Sequence, residues 1–577
     1  MAAMNSTQQT IRNQIQQERQ LQKNLPVESL LDWIHKGQLV RARGNLIFHT
    51  DPDILDTKLQ KLLVLLKENP NRLSSCCQHH LLRFLVDLAV DLKSFLPHWV
   101  LCPPLTEGDL HQLFLATTAV LKEVLLQCPA ASTDLVNRMQ RNTTARLQAE
   151  GIEDLSRATQ TAEQLLGNSL LDYIQNLTGE FQNSNLLKSS LARKDGLCPT
   201  ELGNDYAVFL PYVLWLGGSF VTTNPVLIPL AWEIEPDHWN PNVDELIRSH
   251  YSPTELQEIK NHPQKLDAVI TTINSLITMA VVEDNCRLLR DIFLITEGKE
   301  GYVSLQVSPK NHDQTDRMVS EVKALYEHLK QRLGGIPNVV FKLPATAAGL
   351  AAAEQITAQG IGVTITVQFG LFQAAEFAQV LQRGNVLVSY LALMNGRMAF
   401  PVRDEMKQRQ IPEGVEAARW AGVEVARKTY RRLYETPEQG GLGIDPDKVK
   451  ILIASLRTYD DWLPDISELW GCPVITVFPN VRRTYDSHAR DVDWQAVQQV
   501  TPAQEIKTLM QSEIFRQAWW LPGESEANQP QRTLSLHSKD ADAVLQWPPV
   551  AETLGQFISL YDKMGDMVKS RINALCT

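Results

Sequence analysis

A single lysine, Lys342, stands inside a run of apolar residues. The run Asn338-Val-Val-Phe-Lys-Leu-Pro-Ala-Thr346 has the composition of a buried strand, interrupted only by that ammonium group. A buried ammonium is costly, so such a lysine either pairs with a carboxylate or has a lowered pKa. A lowered pKa gives a neutral amine, which is the nucleophile that forms a Schiff base with a ketone. The residues alone therefore leave two roles open for Lys342, a structural ion pair and covalent catalysis.

Two other clusters carry less chemistry. Zinc sites use two well-spaced pairs of ligands, and this spacing is missing from the cluster formed by Cys76, Cys77, His79 and His80, with Cys102 further on. We interpret that cluster as the start of a buried helix over 81–96 and predict no metal site. The run Gly440-Gly-Leu-Gly-Ile444 lacks the Lys-Ser/Thr of a phosphate-binding loop, and we interpret it as a loop before the seventh strand.

Short β-branched segments alternate with helical patterns from about Gly196 onward. The apolar candidates for strands are bounded by Gly or Pro and lie at 220–223, 302–307, 339–343, 361–367, 386–390, 449–454 and 473–478. Near-continuous apolar strands separated by helices are typical of parallel βαβ units, and at least seven such units suggest a (β/α)8 barrel. Functional side chains of such a barrel lie at the carboxyl ends of its strands.

The two ends of the chain have a different pattern. Residues 27–191 are almost entirely helical in periodicity, with leucines at helical intervals and prolines between the helices. Residues 5–23 are rich in Gln and Arg and predict a solvated or partner-seeking helix. Residues 482–577 are irregular and then helical over 549–575. We therefore predict an α-helical domain of unknown role over 1–195, a barrel over 196–480, and a helical extension packed on the barrel over 481–577.

Composition narrows the class of protein. The chain has 577 residues, 55 Lys+Arg against 66 Asp+Glu and a formal net charge of −11. An acidic balance argues against sequence-independent nucleic-acid binding, which needs clustered basic residues. The longest nearly uncharged apolar run, 207–221, is too short to span a bilayer, and the first 24 residues lack the apolar segment of a secretory signal. Eight scattered cysteines form no disulfide framework, which favours a reduced, cytoplasmic compartment.

Several motifs, in order along the chain, resemble the transaldolase family of class I Schiff-base aldolases. They are Val221-Thr-Thr-Asn-Pro-Val226, Gly301-Tyr-Val-Ser-Leu-Gln-Val-Ser-Pro309, Phe341-Lys-Leu-Pro-Ala-Thr346, Gly360-Ile-Gly-Val-Thr-Ile-Thr-Val367, Asn395-Gly-Arg397, and Ile453-Ala-Ser-Leu-Arg457 followed by Gly471-Cys-Pro-Val-Ile-Thr476. The stretch from Val281 to Pro309 looks like the branch in which transaldolase is sometimes joined to a sugar-phosphate isomerase. The resemblance covers about 218–480 and implies a divergent member with an extra N-terminal helical domain.

The resemblance assigns roles to individual residues. Lys342 matches the Schiff-base lysine, and Thr366 matches the threonine that helps to hold the catalytic water. Asn224 and Thr364 match polar groups that contact the substrate hydroxyls and carbon chain. The phosphate-binding set is matched by Arg397, Ser455 and Arg457, and two converging guanidinium groups suit a phosphate dianion.

The sequence departs from the family pattern at the positions that transfer protons. The acid/base glutamate is replaced by Gln306, and an amide can orient a water but cannot take its proton. Members that resemble fructose-6-phosphate aldolase also carry Gln there, together with a Tyr three residues before the Arg, where this chain has Met394. Ala392 replaces a frequent Ser. The first-strand acid is either Asp205, in a segment without clear strand character, or is missing, in which case Asp205 caps a helix before Ala207.

The resemblance implies a transferase of pentose-phosphate-type carbohydrate metabolism that moves a dihydroxyacetone unit between sugar phosphates, with slow or altered turnover because of Gln306. Two alternatives stay open, a fructose-6-phosphate-aldolase-like lyase and a catalytically impaired barrel that senses a metabolite or acts as a scaffold. No metal or organic cofactor is required, because the protonated imine is the electron sink. The expected partners are a sugar phosphate and, through the N-terminal helices, a second copy or another protein, but neither nucleic acid nor a membrane.

Overall fold

The structure is a computed structural model that describes residues 5–94, 105–223, 227–234, 236–521, 524, 534–537 and 541–576. Eight parallel strands form a closed barrel in which each strand pairs with the next and the eighth pairs with the first. The strands are β1 (Glu201–Asn204), β2 (Phe220–Thr222), β3 (Tyr302–Gln306), β4 (Val339–Pro344), β5 (Val363–Gln368), β6 (Ser389–Leu393), β7 (Val449–Ile453) and β8 (Val474–Val477). The predicted (β/α)8 barrel is confirmed.

The strand that the apolar pattern misses is β1. It has no apolar run, because only Leu202 among its four buried residues is apolar. Glycine is required at position 203, because a Cβ there would lie 2.7 Å from Cγ2 of Thr476 on the neighbouring strand β8. The strand predicted at 386–390 is also displaced, since the corresponding strand β6 begins at Ser389.

The part of the chain before the barrel is helical, as the periodicity predicts, with ten α-helices in its described ranges 5–94 and 105–195. They are α1 (Ser6–Gln22), α2 (Val27–His35), α3 (Leu39–Phe48), α4 (Pro52–Lys67), α5 (Ser75–Ser94), α6 (Glu107–Gln127), α7 (Pro129–Ala149), α8 (Leu155–Leu166), α9 (Leu170–Gln182) and α10 (Asn185–Lys194). The helix predicted over 81–96 therefore begins earlier, at Ser75, and its last two predicted positions lie outside the described residues.

The first helix corrects an expectation. Rather than being free in solvent, α1 packs against the barrel, where Ile15 is fully buried among barrel residues. The side chain of Gln8 donates a 2.7 Å hydrogen bond to the carbonyl of Val386, just before β6. Only one face of this polar helix is apolar, and Ile11 and Ile15 on that face pack against barrel residues. The sequence of the helix alone does not indicate this contact.

The barrel is surrounded by helices of very different lengths. They are α11 (Leu210–Trp215), α12 (Leu227–Ile234), α13 (Pro236–His250), α14 (Pro253–Lys260), α15 (Pro263–Ile295), α16 (Thr315–Leu333), α17 (Ala347–Thr357), α18 (Leu371–Arg383), α19 (Asn395–Gln408), α20 (Gly414–Ala417), α21 (Ala421–Tyr434), α22 (Pro464–Ser467) and α23 (Pro479–Tyr485). Among the described helices, α15 is long and apolar enough to cross a membrane, and α6 with α7, bent by 114°, passes the same test as a pair. Leu289, Ile292 and Phe293 of α15 are buried in the core, whereas the apolar stretch that passes the test is 33% buried.

The C-terminal part is more helical than predicted. The segment expected to be irregular contains α24 (Ala503–Leu509), α25 (Glu513–Trp519) and α26 (Ala541–Gln546). The predicted final helix is confirmed as α27 (Pro548–Leu575), and it packs against α15, β5 and α19. The division into three domains stays a prediction.

Candidate functional site

Lys342 is the fourth of the six residues of β4 and is 5% exposed. The register places it beside Gln306, the last residue of β3, and beside Thr364 on β5. Thr366 pairs with Pro344, two residues nearer the carboxyl end of each strand. The barrel therefore brings together four of the predicted site residues, all on the neighbouring strands β3, β4 and β5.

The Lys342 ammonium forms no hydrogen bond or ion pair with any residue that the structure describes. Burial lowers the pKa of Lys342, the carboxylate of Asp205 raises it, and the Arg397 guanidinium lowers it. The pKa stays below the usual value for lysine, because the cost of desolvation exceeds the attraction to Asp205. A lowered pKa without an ion-pair partner among the described residues is compatible with the second of the two roles, which stays a prediction.

A second lysine tests this interpretation within the same barrel. Lys450 also interrupts an apolar strand, β7, but its Nζ lies 3.0 Å from Oε2 of Glu201, which is buried on β1. Ser219 donates a 2.8 Å hydrogen bond to the other oxygen of Glu201. Lys450 therefore forms a structural ion pair. The same pattern, a lysine inside an apolar strand, gives an ion-paired lysine on β7 and a lysine without an ion-pair partner among the described residues on β4.

Asp205 follows directly after β1, and its surroundings do not match the interpretation as a helix cap. No helix begins at Ala207, since the next helix begins at Leu210. The Asp205 carboxylate accepts hydrogen bonds from the hydroxyl of Thr222 on β2 and, at 3.3 Å, from the backbone N–H of Ser455. It is fixed at the carboxyl end of the first strand, within electrostatic reach of Lys342.

Arg397 lies in the first turn of α19, directly after β6. A Cβ on the preceding residue, Gly396, would lie 2.4 Å from the carbonyl oxygen of Ser455 and 2.6 Å from Cγ of Arg457. Only glycine therefore allows the start of α19 to approach the loop after β7. The two guanidinium groups interact, and burial together with Arg457 lowers the pKa of Arg397 to about 10. An anion between them would relieve that repulsion.

The loop after β7 is held in an unusual conformation. Ser455 has a φ of 58°, in the left-handed region. Nη1 of Arg457 donates to the carbonyls of Ser455 and Leu456 at 3.1 and 3.0 Å, while its backbone N–H donates to Oδ2 of Asp465 at 2.9 Å. Burial raises the pKa of Asp465 to about 7. Sequence reasoning missed Asp465, because a carboxylate after a proline looks like an ordinary helix start.

Met394 occupies a polar position in the site. The hydroxyl of Thr366 lies 3.7 Å from the Met394 sulfur, which is a weak acceptor. Oγ1 of Thr364 and Oε1 of Gln306 are buried without a hydrogen-bond partner among the described residues. Such unpaired buried atoms are costly, so the arrangement favours a polar ligand or water at this point.

Two predicted features are less informative. Asn224 lies outside the described residues, as does Cys102. The cysteine and histidine cluster occupies the first turns of α5, where Cys76 and His80 are in contact at 3.5 Å. Within the described ranges, no group of three or more His, Cys, Asp or Glu residues could hold a metal ion.

The C-terminal helix contributes residues that the sequence does not mark. Gln556 on α27 accepts a hydrogen bond from Nη1 of Arg397, and the ring of Phe557 lies 5.6 Å from the Arg397 guanidinium carbon. These two residues are 159 and more positions away from Arg397 along the chain, and neither belongs to a recognisable motif.

We predict that Asp205→Asn moves the reactivity of Lys342 to lower pH. The carboxylate raises the pKa of Lys342, so its removal lowers that pKa further and the neutral, reactive amine is populated at lower pH. Arg397→Gln should shift the profile to higher pH, because Arg397 lowers the pKa. The measurement is the rate of reductive methylation of Lys342 by formaldehyde as a function of pH, read by peptide mass spectrometry. Identical profiles for both variants would contradict the electrostatic assignment.

Comparisons with known proteins match the barrel. The family model described as transaldolase/fructose-6-phosphate aldolase matches residues 216–520, just over half of the chain. The transaldolase of Frankia alni is 31% identical over 224 residues, and that of Acidothermus cellulolyticus is 29% identical over 226 residues. Transaldolase 2 of a Nostoc species is 24% identical over 227 residues. Each alignment covers 35% of this chain and 58% of the relative, so the chain spans little more than half the length of the curated relatives it matches.

The boundaries of the matched region show which elements of the fold belong to the family match. It begins after β1 and Asp205, and it ends beyond the predicted barrel boundary at residue 480, so it includes α24 and α25 but not α27. It contains seven of the eight strands and every described candidate site residue except Asp205. On this evidence, the chain belongs to the transaldolase/fructose-6-phosphate aldolase family.

Proposed function

We propose that the protein is a class I aldolase-type transferase in which Lys342 forms a Schiff base with a ketose phosphate and transfers its dihydroxyacetone unit to an aldose phosphate. The observation that carries this proposal is the state of the Lys342 amine. It is buried, has a lowered pKa and lacks an ion-pair partner among the described residues, while two interacting arginines lie close by.

The first step is formation of the imine. The neutral Lys342 amine attacks the ketone carbon, a C–N bond forms, and the carbonyl oxygen leaves as water after taking up two protons. Asp205 is the carboxylate within electrostatic reach of the amine, and Thr222 and the Ser455 N–H hold it in place. It is suited to relay protons between the amine, the departing oxygen and water.

The second step breaks the C3–C4 bond. The electron pair of that bond moves into the protonated imine and gives an enamine on Lys342, while the C4 hydroxyl loses its proton and becomes the aldehyde of the departing aldose phosphate. In this step, Arg397 and Arg457 bind the phosphate and fix C4 relative to the amine. The imine is the electron sink, so the scheme needs no metal or organic cofactor.

The proton released from C4 needs an acceptor. Gln306 lies beside Lys342 and can orient a water but cannot accept the proton. Thr366 is the second candidate for holding that water, but its hydroxyl contacts Met394. The amide at position 306 and the contact between Thr366 and Met394 both favour slow turnover.

The direct test supplies fructose 6-phosphate with and without erythrose 4-phosphate. Transfer produces glyceraldehyde 3-phosphate only when the acceptor is present, and we expect this result. Production of glyceraldehyde 3-phosphate and free dihydroxyacetone without an acceptor would instead identify a fructose-6-phosphate-aldolase-like lyase. Release of neither product under both conditions would contradict an enzymatic role with these substrates.

A second candidate function rests on the same two residues, Gln306 and Met394. A barrel that binds a sugar phosphate but lacks a proton acceptor would act as a metabolite sensor or scaffold, with the N-terminal helices available for a second copy or another protein. This alternative is favoured if fructose 6-phosphate binds but neither product forms. All seven described cysteines are free thiols, which supports a reduced, cytoplasmic location in either case.

A further inference from the structure

The C-terminal helix α27 lies along the carboxyl end of the barrel. At its start, the ring of Trp547 packs 5.8 Å from Phe372, at the beginning of the helix that follows β5. At its middle, Asp562 forms a 2.5 Å ion pair with Lys310, which follows β3. Since β4 lies between β3 and β5 in the barrel, the helix passes the carboxyl end of the strand that carries Lys342.

Further contacts hold α27 in this position. Lys563 lies 2.7 Å from Glu233 on α12, and Arg571 binds both carboxylate oxygens of Asp244 on α13 at 2.8 and 2.6 Å. Phe557 is only 2% exposed and joins the main core cluster. The helix is therefore an integral part of the folded protein, although it lies outside the region that the family model matches.

One side chain of α27 already accepts a hydrogen bond from the Arg397 guanidinium, which in the proposed function binds the substrate phosphate. Oε1 of Gln556 accepts a hydrogen bond from Nη1 of Arg397, while the Phe557 ring lies beside the same guanidinium. Nε of Arg397 is buried and has no hydrogen-bond partner among the described residues. Gln556 itself is exposed, so its side chain can turn away into solvent without disturbing the core.

We infer that Gln556 is a placeholder ligand of Arg397, which a phosphate dianion displaces when a sugar phosphate binds. The inference rests on the proposed function, in which Arg397 binds the substrate phosphate. A neutral amide satisfies the guanidinium weakly, whereas a phosphate oxygen forms a charge-assisted bond and also relieves the repulsion between Arg397 and Arg457. A neutral sugar hydroxyl would accept a hydrogen bond from the guanidinium no stronger than that of the amide, so it would not displace Gln556. Gln556 therefore makes the subsite selective for phosphate monoesters and lowers their affinity.

The test compares Gln556→Ala with Gln556→Glu, using inorganic phosphate as the probe in isothermal titration and fructose 6-phosphate as the substrate. Removal of the competing amide should tighten phosphate binding about 3- to 10-fold, the range expected for the net contribution of one ordinary hydrogen bond. The nearly isosteric glutamate should weaken it at least about 10-fold, because an ion pair with Arg397 competes with the phosphate. The KM for fructose 6-phosphate should fall in Gln556→Ala and rise in Gln556→Glu.

Two controls make the outcome specific. Ser559→Ala changes a neutral, exposed residue on the same helix and should leave phosphate affinity unchanged. Dihydroxyacetone has no phosphate, so its reductive attachment to Lys342 should not respond to Gln556→Ala, which changes no charge near the amine. If Gln556→Ala leaves phosphate affinity within two-fold or weakens it, Gln556 is not a placeholder and the inference is wrong. The phosphate titration requires no turnover, so failure of the proposed enzymatic function would be recognised separately by the missing attachment at Lys342.

Discussion

Lys342→Arg is expected to lower the rate of dihydroxyacetone transfer by at least about 10⁴-fold, the scale on which removal of a nucleophile ends covalent catalysis. Arginine keeps the flexible stem and much of the length of lysine, so the fold should survive. Its guanidinium stays protonated at every accessible pH and cannot attack a ketone. The measurement is the rate of glyceraldehyde 3-phosphate release from fructose 6-phosphate with erythrose 4-phosphate.

The barrel offers a matched control for this substitution. Lys450→Arg also replaces a largely buried strand lysine, but its ion pair with Glu201 can be kept by the guanidinium. We expect that variant to retain the wild-type transfer rate within a few-fold. Equal losses in the two variants would mean that a buried arginine disturbs the barrel as a whole, and full activity in Lys342→Arg would exclude the covalent mechanism.

Gln306→Glu is expected to increase transfer by about 10²–10⁴-fold, the usual contribution of a general acid or base. The register places this residue beside Lys342, so a carboxylate there could accept the C4 proton through a water. Oε1 of Gln306 has no partner among the described residues, so the new group would not break an existing hydrogen bond of that atom. The same coupled assay measures the gain.

Gln306→Leu separates a role for the amide from a role for the space it fills. If Gln306 orients a water, the leucine variant should be slower than wild type. A glutamate variant that gains activity over an inert wild type would favour the sensor or scaffold function for the natural protein. A glutamate variant that loses activity would contradict the scheme in which position 306 handles the C4 proton.

The barrel could be predicted because most of its strands are buried on both faces. Continuous β-branched runs such as those of β4 and β5 therefore stand out in the sequence, and seven of the eight strands were found. The first strand could not be found, because it interacts through polar groups and a glycine. Glu201 forms a buried ion pair, and Gly203 makes room for Thr476. Such partners are defined only by the closed barrel.

The candidate site was predictable where a residue type carries the chemistry by itself. The sequence singled out Lys342, but only the structure distinguishes it from Lys450, since the difference lies in the carboxylate that each lysine finds. Gln556 and Phe557 could not be predicted, because their contact with Arg397 depends on how a distant helix crosses the barrel. Interactions across the fold leave no local pattern in the chain.

The most direct test of the covalent role is chemical capture of the intermediate. Wild-type protein is incubated with fructose 6-phosphate, reduced with borohydride and digested, and the peptides are analysed by mass spectrometry. We predict a reduced sugar adduct on the peptide that contains Lys342, none on the peptide that contains Lys450, and none in Lys342→Arg. Folded wild-type protein that binds fructose 6-phosphate but yields an unmodified Lys342 peptide would contradict the central claim that this amine is the nucleophile.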